Sequence, residues 1–333
     1  LADAGLSDFY QGDLADVMAK ELESVGSPIR LRDFREHRSR LDTPLQLVHS
    51  LGTFYNTPAP TQGAASLMLL GVMDRLKAFP SMPDSEKIHY MVEATKVVFG
   101  IRDACITDPA HLPAEYHEML TDANVAGIVT QLTERTKPPA GAGTVGDTAW
   151  VGAVDASGGA VSSIHSLFHD FGSATVLGRT GILWQNRGAA FGLNETDPNR
   201  LRGGCRPRHT LNPAIADLKD GRRVLYGVMG GDGQPQFQAA IMAQLLYRNA
   251  SAEDAVAALR WLQGGTWGAA RQSLKLEEGW PEEVIRDLQA RGHEVEILPH
   301  YDARFGQAGV IVLHPNGETE ASSDPRSDGG AAG

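Results

Sequence analysis

The stretch that decides the fold, residues 147–191, reads DTAWVGAVDASGGAVSSIHSLFHDFGSATVLGRTGILWQNRGAAF. Two runs within it, 149–155 and 160–168, have the composition of extended chain, and the turn Ala156-Ser-Gly-Gly separates them. Apolar runs on either side of a Gly-rich turn predict a β-hairpin. Immediately upstream, residues 137–146 read KPPAGAGTVG and predict a linker, because proline and glycine interrupt helices and strands alike.

The rest of the chain mixes both periodicities. Upstream of the linker, apolar residues recur at helical spacing, which predicts helices over residues 13–23, 64–76, 84–102 and 121–135. Downstream, short apolar runs predict strands over 181–186, 223–229, 294–298 and 308–314. Helical patterns between them predict helices over 236–249, 252–262 and 281–292. This mixture predicts a layered α/β or α+β fold.

Composition narrows the class of protein. The 333 residues carry 30 basic and 41 acidic side chains, a net charge of −11, which argues against a nucleic-acid partner because phosphate contacts need a basic face. No apolar run approaches the ~20 residues of a membrane span. Cys105 and Cys205 cannot form a disulfide framework and suit a reducing compartment. We expect a cytoplasmic protein and keep the periplasm as the alternative, because a sequence that starts at Leu1 without a Met says nothing about targeting.

Three patterns suggest chemistry but have simpler interpretations. His165 and His169 have the i, i+4 spacing of helical zinc ligands, but they lie at a predicted strand end, where that spacing does not converge. Cys205 has no local group that would activate its thiol. We therefore expect no metal and no cofactor. The sequence Gly230-Gly-Asp-Gly is either a tight turn between a strand and a helix or a pair of backbone N–H groups aimed at an anion.

Thr148 lies where the linker meets the predicted hairpin. If the bond between Asp147 and Thr148 were cut, Thr148 would have a free α-amine beside its hydroxyl. An α-amine has a pKa of about 8, so it can act as a general base at neutral pH. Taken alone, this feature favours the simpler interpretation that Thr148 starts a strand, as β-branched residues often do.

Ordered motifs change that balance. The stretch 147–191 resembles the start of the small subunit in the γ-glutamyltranspeptidase family, whose members are N-terminal-nucleophile (Ntn) hydrolases that cleave themselves before a Thr. Downstream motifs agree in order: RPRHTLNP (206–213), GVMGGD (227–232) and SDPRS (323–327). Upstream, DFYQG (8–12), NTPAPTQG (56–63) and residues 93–103 resemble the last stretch of the large subunit.

The resemblance implies an α+β fold, a four-layer αββα sandwich of the Ntn-hydrolase type. Residues 1–147 would be the C-terminal part of the large subunit and residues 148–333 the small subunit. Both would come from one precursor and together form one compact domain. The N-terminal part of the family's large subunit is expected to be absent from this chain.

The resemblance also implies roles for individual residues. Cleavage would fall between Asp147 and Thr148, and Thr148 would be the nucleophile. Ser166 falls on a Thr whose hydroxyl supports the nucleophile. Gly230 and Gly231 fall on the pair whose N–H groups form the oxyanion hole. The implied reaction is acyl transfer through an ester of Thr148.

Substrate-contacting positions depart from the pattern of transpeptidases. Phe168 stands where that pattern has an Asn, Arg187 where it has a Gln, and Ala190 where it has an acidic residue. His209 and Thr210 replace a pair of serines. Loss of the acid removes the partner of a substrate ammonium, and Arg187 adds a cation suited to a carboxylate. These changes predict a small anionic amide without an α-amine as substrate.

A narrower resemblance fits this expectation. The motifs ILWQNRGAAF (182–191), which contains Asn186 beside Arg187, GGDGQPQ, RWLQGGTWG, SLKLE and SDPRSDGGAAG resemble the oxamate amidohydrolases of the same superfamily. The segment 191–207 is short compared with the lid loop of transpeptidases, which favours hydrolysis over transfer. We therefore expect an amidohydrolase acting on a substrate such as oxamate.

Two alternatives stay open. One is a γ-glutamyl transpeptidase or glutathione hydrolase of the same fold. The other, from a different class, is a non-catalytic structural homologue that does not cleave itself. Assembly of identical copies into a homo-oligomer is open under each of them.

Overall fold

The computed structural model describes residues 1–137, 147–264 and 272–333; for Asp147 it describes the backbone only. The predicted linker and the RWLQGGTWG motif therefore lie partly outside the described residues. The chain divides into two compact units: unit 1 contains residues 1–43 and 167–187, and unit 2 contains residues 44–166 and 188–333. Of the helices in the described ranges, none is long and apolar enough to cross a membrane.

Helices and strands alternate along the chain, so the mixed fold class predicted from the sequence is confirmed. The helices are α1 (Asp8–Gln11), α2 (Asp13–Ser24), α3 (Leu31–Glu36), α4 (Gly63–Arg75), α5 (Asp84–Cys105), α6 (Asp122–Thr130), α7 (Gln234–Tyr247), α8 (Ala252–Ala257) and α9 (Glu282–Ala290). The strands are β1 (Leu45–His49), β2 (Gly52–Asn56), β3 (Asp147–Val154), β4 (Ala160–Phe168), β5 (Ala214–Leu218), β6 (Arg223–Met229), β7 (Trp261–Gln263), β8 (Leu274–Glu277), β9 (Val295–Leu298), β10 (Gln307–Leu313) and β11 (Thr319–Ser323).

Unit 1 has its own small core. Ala15, Met18 and Leu22 follow helical spacing and form the buried face of α2. Phe34 of α3 and Leu177 complete the cluster. The segment 167–187 thus folds against the first helices of the chain by burying apolar side chains.

Unit 2 is built on a six-stranded antiparallel sheet in the order β1-β2-β5-β6-β10-β11. Alternate residues of β6 face opposite sides. Val224, Tyr226 and Val228 belong to the main core, together with the side chains of α4 and α7. Helix α4 is buried along nearly its whole length, because its sequence GAASLMLLGVM offers no polar face larger than one serine. A helical layer therefore covers one side of this sheet.

The predicted hairpin, β3 and β4, forms a two-stranded sheet against the other side. Its contact with the six-stranded sheet is centred on Trp150. A Cβ atom on Gly227 of β6 would lie 1.9 Å from the Trp150 ring, and one on Gly309 of β10 would lie 2.1 Å from it. The indole Nε1 donates to Ser162 Oγ of β4 at 2.9 Å. Two glycines on neighbouring strands therefore make the slot in which this ring lies.

A second sheet, β7-β8-β9, lies near a buried charge network. Arg260 Nη2 and Asp324 Oδ2 are 2.5 Å apart, and Arg326 pairs with both Asp324 (3.0 Å) and Glu277 (2.5 Å). All four side chains are almost fully buried. Buried charges are stable only when paired, so this network holds the chain after β11 against β8.

Several predicted elements are wrong. Residues 181–186 are not a strand: Ile182 and Trp184 pack on the core of unit 1, and only an isolated bridge joins Val176 and Leu183. The helix predicted over 252–262 ends at Ala257, because the buried Arg260 side chain binds the carbonyls of Phe305 and Gly306, and β7 follows. Among the described residues, six strands were not predicted: β1, β2, β5, β7, β8 and β11.

Candidate active site

Thr148 lies on the wall of a large cavity in unit 2. The cavity has a volume of about 500 Å³, and its lining includes Trp150, Met229, Gln307 and Ile311. Thr148 is only 8% exposed. Along β3 the even-numbered residues are more buried than the odd-numbered ones, so Thr148 and Trp150 share the inner face. A hydroxyl at this position can reach a small molecule in the cavity.

Ser166 lies on the inner face of β4, which it shares with Ser162 and Ile164. At the turn of the hairpin, the Asp155 N–H donates to the Gly159 carbonyl at 2.9 Å. An antiparallel register continued from that bond pairs Thr148 with Ser166. Register therefore favours the predicted meeting of the two hydroxyls at the open end of the hairpin.

Gly230 and Gly231 form the turn between β6 and α7. Gly230 has φ = 137° and Gly231 has φ = 53°, and both angles lie where L side chains are disfavoured. A Cβ atom on Gly230 would also lie 2.7 Å from the Phe237 ring. Met229, the residue before Gly230, lines the same cavity as Thr148. The sequence thus requires glycine here to begin a buried helix at the edge of the cavity.

Buried polar side chains hold this turn from behind. Gln62 Nε2 donates to the carbonyls of Gly231 at 2.9 Å and Thr210 at 3.1 Å. Arg102 Nη1 donates to Asp232 Oδ1 at 2.6 Å and to Gln62 Oε1 at 3.0 Å. Thr210 and Gly231, which the sequence places 21 residues apart, are therefore joined through one glutamine amide.

His209 is half-buried beside Thr210. Its backbone N–H donates to the Pro60 carbonyl at 3.0 Å, and a bridge joins it to Thr61. His209 and Thr210 thus lie against the segment that leads into α4. The structure brings these two predicted residues together with Gly231, all in unit 2.

Phe168 and Arg187, also predicted, meet in unit 1. The Arg187 guanidinium carbon lies 4.7 Å from the centre of the Phe168 ring. Both Nη atoms are buried, and among the described residues neither has a hydrogen-bond partner. Burial lowers the pKa of Arg187 to about 10, so the side chain remains a cation at neutral pH. Phe168 has φ = 82°, a strained conformation of the kind found at ligand sites.

Asn186 stands beside this pair. Its backbone N–H donates to the Leu167 carbonyl at 2.9 Å, and its Nδ2 is 2.8 Å from His169 Nδ1. The His169 ring stacks on Phe168 with centroids 4.6 Å apart. Segments 167–169 and 185–187 therefore run side by side, and Phe168 of the first segment packs against the Arg187 side chain of the second.

Within the described ranges, one group of buried residues has metal-ligand chemistry: His89, Glu93 and His293, whose ligand atoms lie within 4.8 Å of one another. These atoms are already bonded. His89 Nδ1 is 2.8 Å from His293 Nε2, and Glu93 Oε1 accepts from Lys96 Nζ at 2.7 Å. A divalent ion would have to displace the Lys96 ammonium, so we assign this group to a structural hydrogen-bond network.

Sequence reasoning missed the residues that support the turn. Gln62, Arg102 and Asp232 all lie in motifs that had been singled out, namely NTPAPTQG, 93–103 and GVMGGD. Their contacts join positions 40 and 130 residues apart, and no local pattern indicates such pairs. The sequence offered one signal: each of these three polar residues lies in a separate motif that resembles the family.

Comparison with known proteins gives the family. The family model described as gamma-glutamyltranspeptidase matches residues 1–333. The chain is 46% identical over 334 residues to the oxamate amidohydrolase proenzyme of Klebsiella pneumoniae subsp. pneumoniae, covering 100% of this chain and 63% of that protein. It is 37% identical over 335 residues to the glutathione hydrolase-like YwrD proenzyme of Bacillus subtilis, covering 100% and 64%. The chain thus spans a little under two thirds of the length of both relatives.

A solved structure agrees on the fold. Cephalosporin acylase from Bacillus halodurans matches with a TM-score of 0.86 and 24% identity, covering 98% of this chain and 59% of that one. The α+β sandwich of the Ntn-hydrolase type predicted from the motifs is confirmed.

Proposed function

The chain belongs to the γ-glutamyltranspeptidase family, and from this premise we propose that it carries the nucleophile of a self-processing Ntn amidohydrolase. Residues 1–147 are then the C-terminal part of a large subunit and residues 148–333 the small subunit, both cut from one precursor. The observation that carries the proposal is the placement of Thr148, buried on the inner face of β3 and on the wall of the 500 Å³ cavity.

Thr148 performs the acyl transfer in this proposal. Cleavage between Asp147 and Thr148 frees the Thr148 α-amine, which takes the proton of the Thr148 hydroxyl as Oγ attacks the amide carbonyl carbon of the substrate. The tetrahedral intermediate collapses, the C–N bond breaks, and the amine returns the proton to the leaving ammonia. Water, deprotonated by the same amine, then attacks the ester, releases the acid and restores Thr148.

The oxyanion of each tetrahedral intermediate needs donors. We assign this role to the N–H groups of Gly230 and Gly231, because their turn borders the cavity at Met229. Such donors each contribute about 10²- to 10³-fold in rate. In this proposal Ser166, whose pairing with Thr148 is supported by the hydrogen bond between Asp155 and Gly159 at the turn, supplies a hydroxyl that orients Thr148 Oγ.

Arg187 defines the class of substrate. A buried guanidinium whose Nη atoms have no partner among the described residues is costly unless a ligand pairs with it. A carboxylate matches its two parallel N–H donors, and Phe168 covers one face of it. We therefore propose that Arg187 binds the carboxylate of a small amide such as oxamate, which is hydrolysed to oxalate and ammonia. The name of the relative at 46% identity supports that choice.

Other predicted residues complete the proposed substrate site. Asn186 offers a side-chain amide next to Arg187, and His209 and Thr210 offer polar groups beside the Gly231 carbonyl. Ala190, in place of an acid, offers nothing to a substrate ammonium.

Self-processing is tested on the protein expressed at its full natural length. We expect two bands on a denaturing gel and an N-terminal Thr148 on the smaller fragment by mass spectrometry. Thr148→Ala should leave one band and no activity, since the attacking hydroxyl is lost; Thr148→Ser, which keeps a hydroxyl, should retain slow cleavage. A single intact wild-type band, or cleavage at another bond, would reject the proposal and favour a non-catalytic homologue.

The substrate is tested by measuring ammonia release from oxamate and anilide release from a γ-glutamyl anilide with the same processed enzyme. We expect activity on oxamate. Preference for the anilide would instead identify a γ-glutamyl hydrolase or transpeptidase, and addition of an amine acceptor would separate those two.

A further inference from the structure

We propose that Gln62, Arg102 and Asp232 form a brace that positions the Gly230–Gly231 oxyanion turn, so that Gln62 and Arg102 are positioning residues for catalysis. This inference rests on the proposed function, because it concerns the same turn. The three side chains come from the start of α4, the last turn of α5 and the turn itself. They are 1%, 2% and 7% exposed.

The turn needs external support because it has no side chains of its own. Two consecutive glycines sample many backbone conformations, and an oxyanion hole works only if its N–H groups are fixed before the reaction. The Gly230 carbonyl accepts from the Gly233 N–H at 2.9 Å. Since the carbonyl and N–H of a trans peptide point in opposite directions, that bond sets the direction of the Gly231 N–H.

Gln62 fixes the next peptide plane. Its amide donates to the Gly231 carbonyl, and its Oε1 is in turn held by Arg102 Nη1. The other end of the Gly231–Asp232 segment is held by the Asp232 carboxylate, which accepts from the same Nη1. One nitrogen of Arg102 thus restrains the turn twice, once directly and once through Gln62.

Arg102 is itself held in place. Its Nε donates to Asp103 Oδ1 at 2.8 Å, and its guanidinium lies 4.0 Å from the centre of the Phe99 ring. Burial opposes its charge, but Asp232 and Asp103 outweigh burial and raise its pKa. A planar guanidinium donates from two nitrogens at a fixed separation, Nη1 to Asp232 and Gln62 and Nε to Asp103, whereas a lysine has a single nitrogen in their place. The brace is therefore specific for arginine.

A positioning role and a purely structural role for the brace predict different kinetics. If it positions the oxyanion donors, its loss lowers kcat and leaves KM for the substrate nearly unchanged, because the carboxylate of the bound substrate is held elsewhere. A displacement of about 1 Å in a catalytic group costs on the order of 100-fold in rate. If the brace only stabilises the fold, kcat per processed active site stays at the wild-type value.

The experiment uses the full-length protein and the variants Gln62→Met, Arg102→Met and Arg102→Lys. Processed sites are counted as N-terminal Thr148, and kcat and KM for oxamate are measured per processed site. Gln62→Met leaves no charge unpaired and keeps the test valid if Arg102→Met does not fold. The matched control is Arg291→Met, which also removes an arginine paired with two carboxylates, Asp287 and Glu86.

We expect kcat to fall about 10- to 100-fold in Gln62→Met and in both Arg102 variants, with KM changed less than threefold and Arg291→Met like wild type. An active wild type whose Gln62→Met variant keeps its kcat would overturn the brace and leave the proposed function intact. A wild type that neither cleaves itself nor hydrolyses oxamate or a γ-glutamyl anilide would overturn both.

Discussion

Two arginines with buried Nη atoms, one in each unit, show how differently the same side chain can be used. Arg102 of unit 2 donates to Asp232, Gln62 and Asp103. Arg187 of unit 1 has Phe168 against its face, and its Nη atoms have no partner among the described residues. The pKa of Arg102 is raised by its carboxylates, and that of Arg187 is lowered by burial alone. The bonded Arg102 guanidinium joins parts of unit 2, whereas the Arg187 guanidinium has donors left over for the ligand that we propose.

The largest expected effect concerns the ligand of Arg187. Arg187→Met should lower kcat/KM for oxamate about 10³-fold, because two charge-assisted hydrogen bonds to the carboxylate are lost. Arg187→Lys should recover only part of this loss, since a lysine cannot bind a carboxylate in the same bidentate way. Steady-state ammonia release measures both. An unchanged kcat/KM in Arg187→Met would show that the carboxylate binds elsewhere and would end the contrast with Arg102.

The second effect concerns the free energy of unfolding, for which we expect the substitution of Arg102 to matter more than that of Arg187. Arg102→Met should lower the free energy of unfolding by about 3 kcal/mol, because it leaves the buried Asp232 carboxylate without its cation. Arg187→Met should change it by less than about 1 kcal/mol, or raise it, because no described group loses a hydrogen bond. Urea unfolding of the ligand-free proteins, followed by circular dichroism, compares the two. Equal destabilisation would mean that Arg187 has a structural anion partner.

The smallest effect concerns the pH dependence of stability, which we relate to His293, a buried histidine that stays neutral. Burial lowers the pKa of His293 to about 4, and the neighbouring His89 and Lys96 act in the same direction, while Glu93 opposes them. An unfolded histidine has a pKa of about 6.5, so the unfolded state binds more protons between these values. The contribution of His293 to the free energy of unfolding should therefore be fully present above pH 6.5, and the free energy of unfolding should fall by about 2 kcal/mol as the pH drops to 4.

The variant His293→Gln should reduce this acid sensitivity, since glutamine cannot take up the proton. Urea unfolding at several pH values between 4 and 7 provides the measurement. The same slope in wild type and variant would assign the acid sensitivity to other groups. Both arginines stay charged throughout this range, so the contrast between them should not depend on pH.

Sequence patterns predicted the parts of this molecule that are local. The hairpin around Gly158 and the long helix α5 follow from turn residues and apolar spacing. Strands β1 and β2 are an exception, because they form a local hairpin that was missed: each has only five residues, and β2 also pairs with β5, more than 150 residues away. Residues 181–186 were predicted as a strand on composition, but Trp184 packs against Phe34 instead of a neighbouring strand.

The site followed the same rule. Thr148, Gly230 and Arg187 were proposed from motifs, because each lies in one short segment whose residue types already indicate its chemistry. Gln62 and Arg102 were not, because their contacts with the turn exist only once α4 and α5 bring them there. Their roles depend on tertiary contacts for which a single sequence carries no local signal.

The slot that Gly227 and Gly309 form for the Trp150 ring limits the order in which these three residues can be substituted. Gly227 and Gly309 cannot acquire a side chain while the indole lies against them. A smaller residue at position 150 would have to come first, and it would leave a void between the two sheets beside Thr148. The residues at positions 150, 227 and 309 therefore depend on one another. Replacing either glycine by a larger residue requires a smaller residue at position 150 first, and the protein with that first change is less stable.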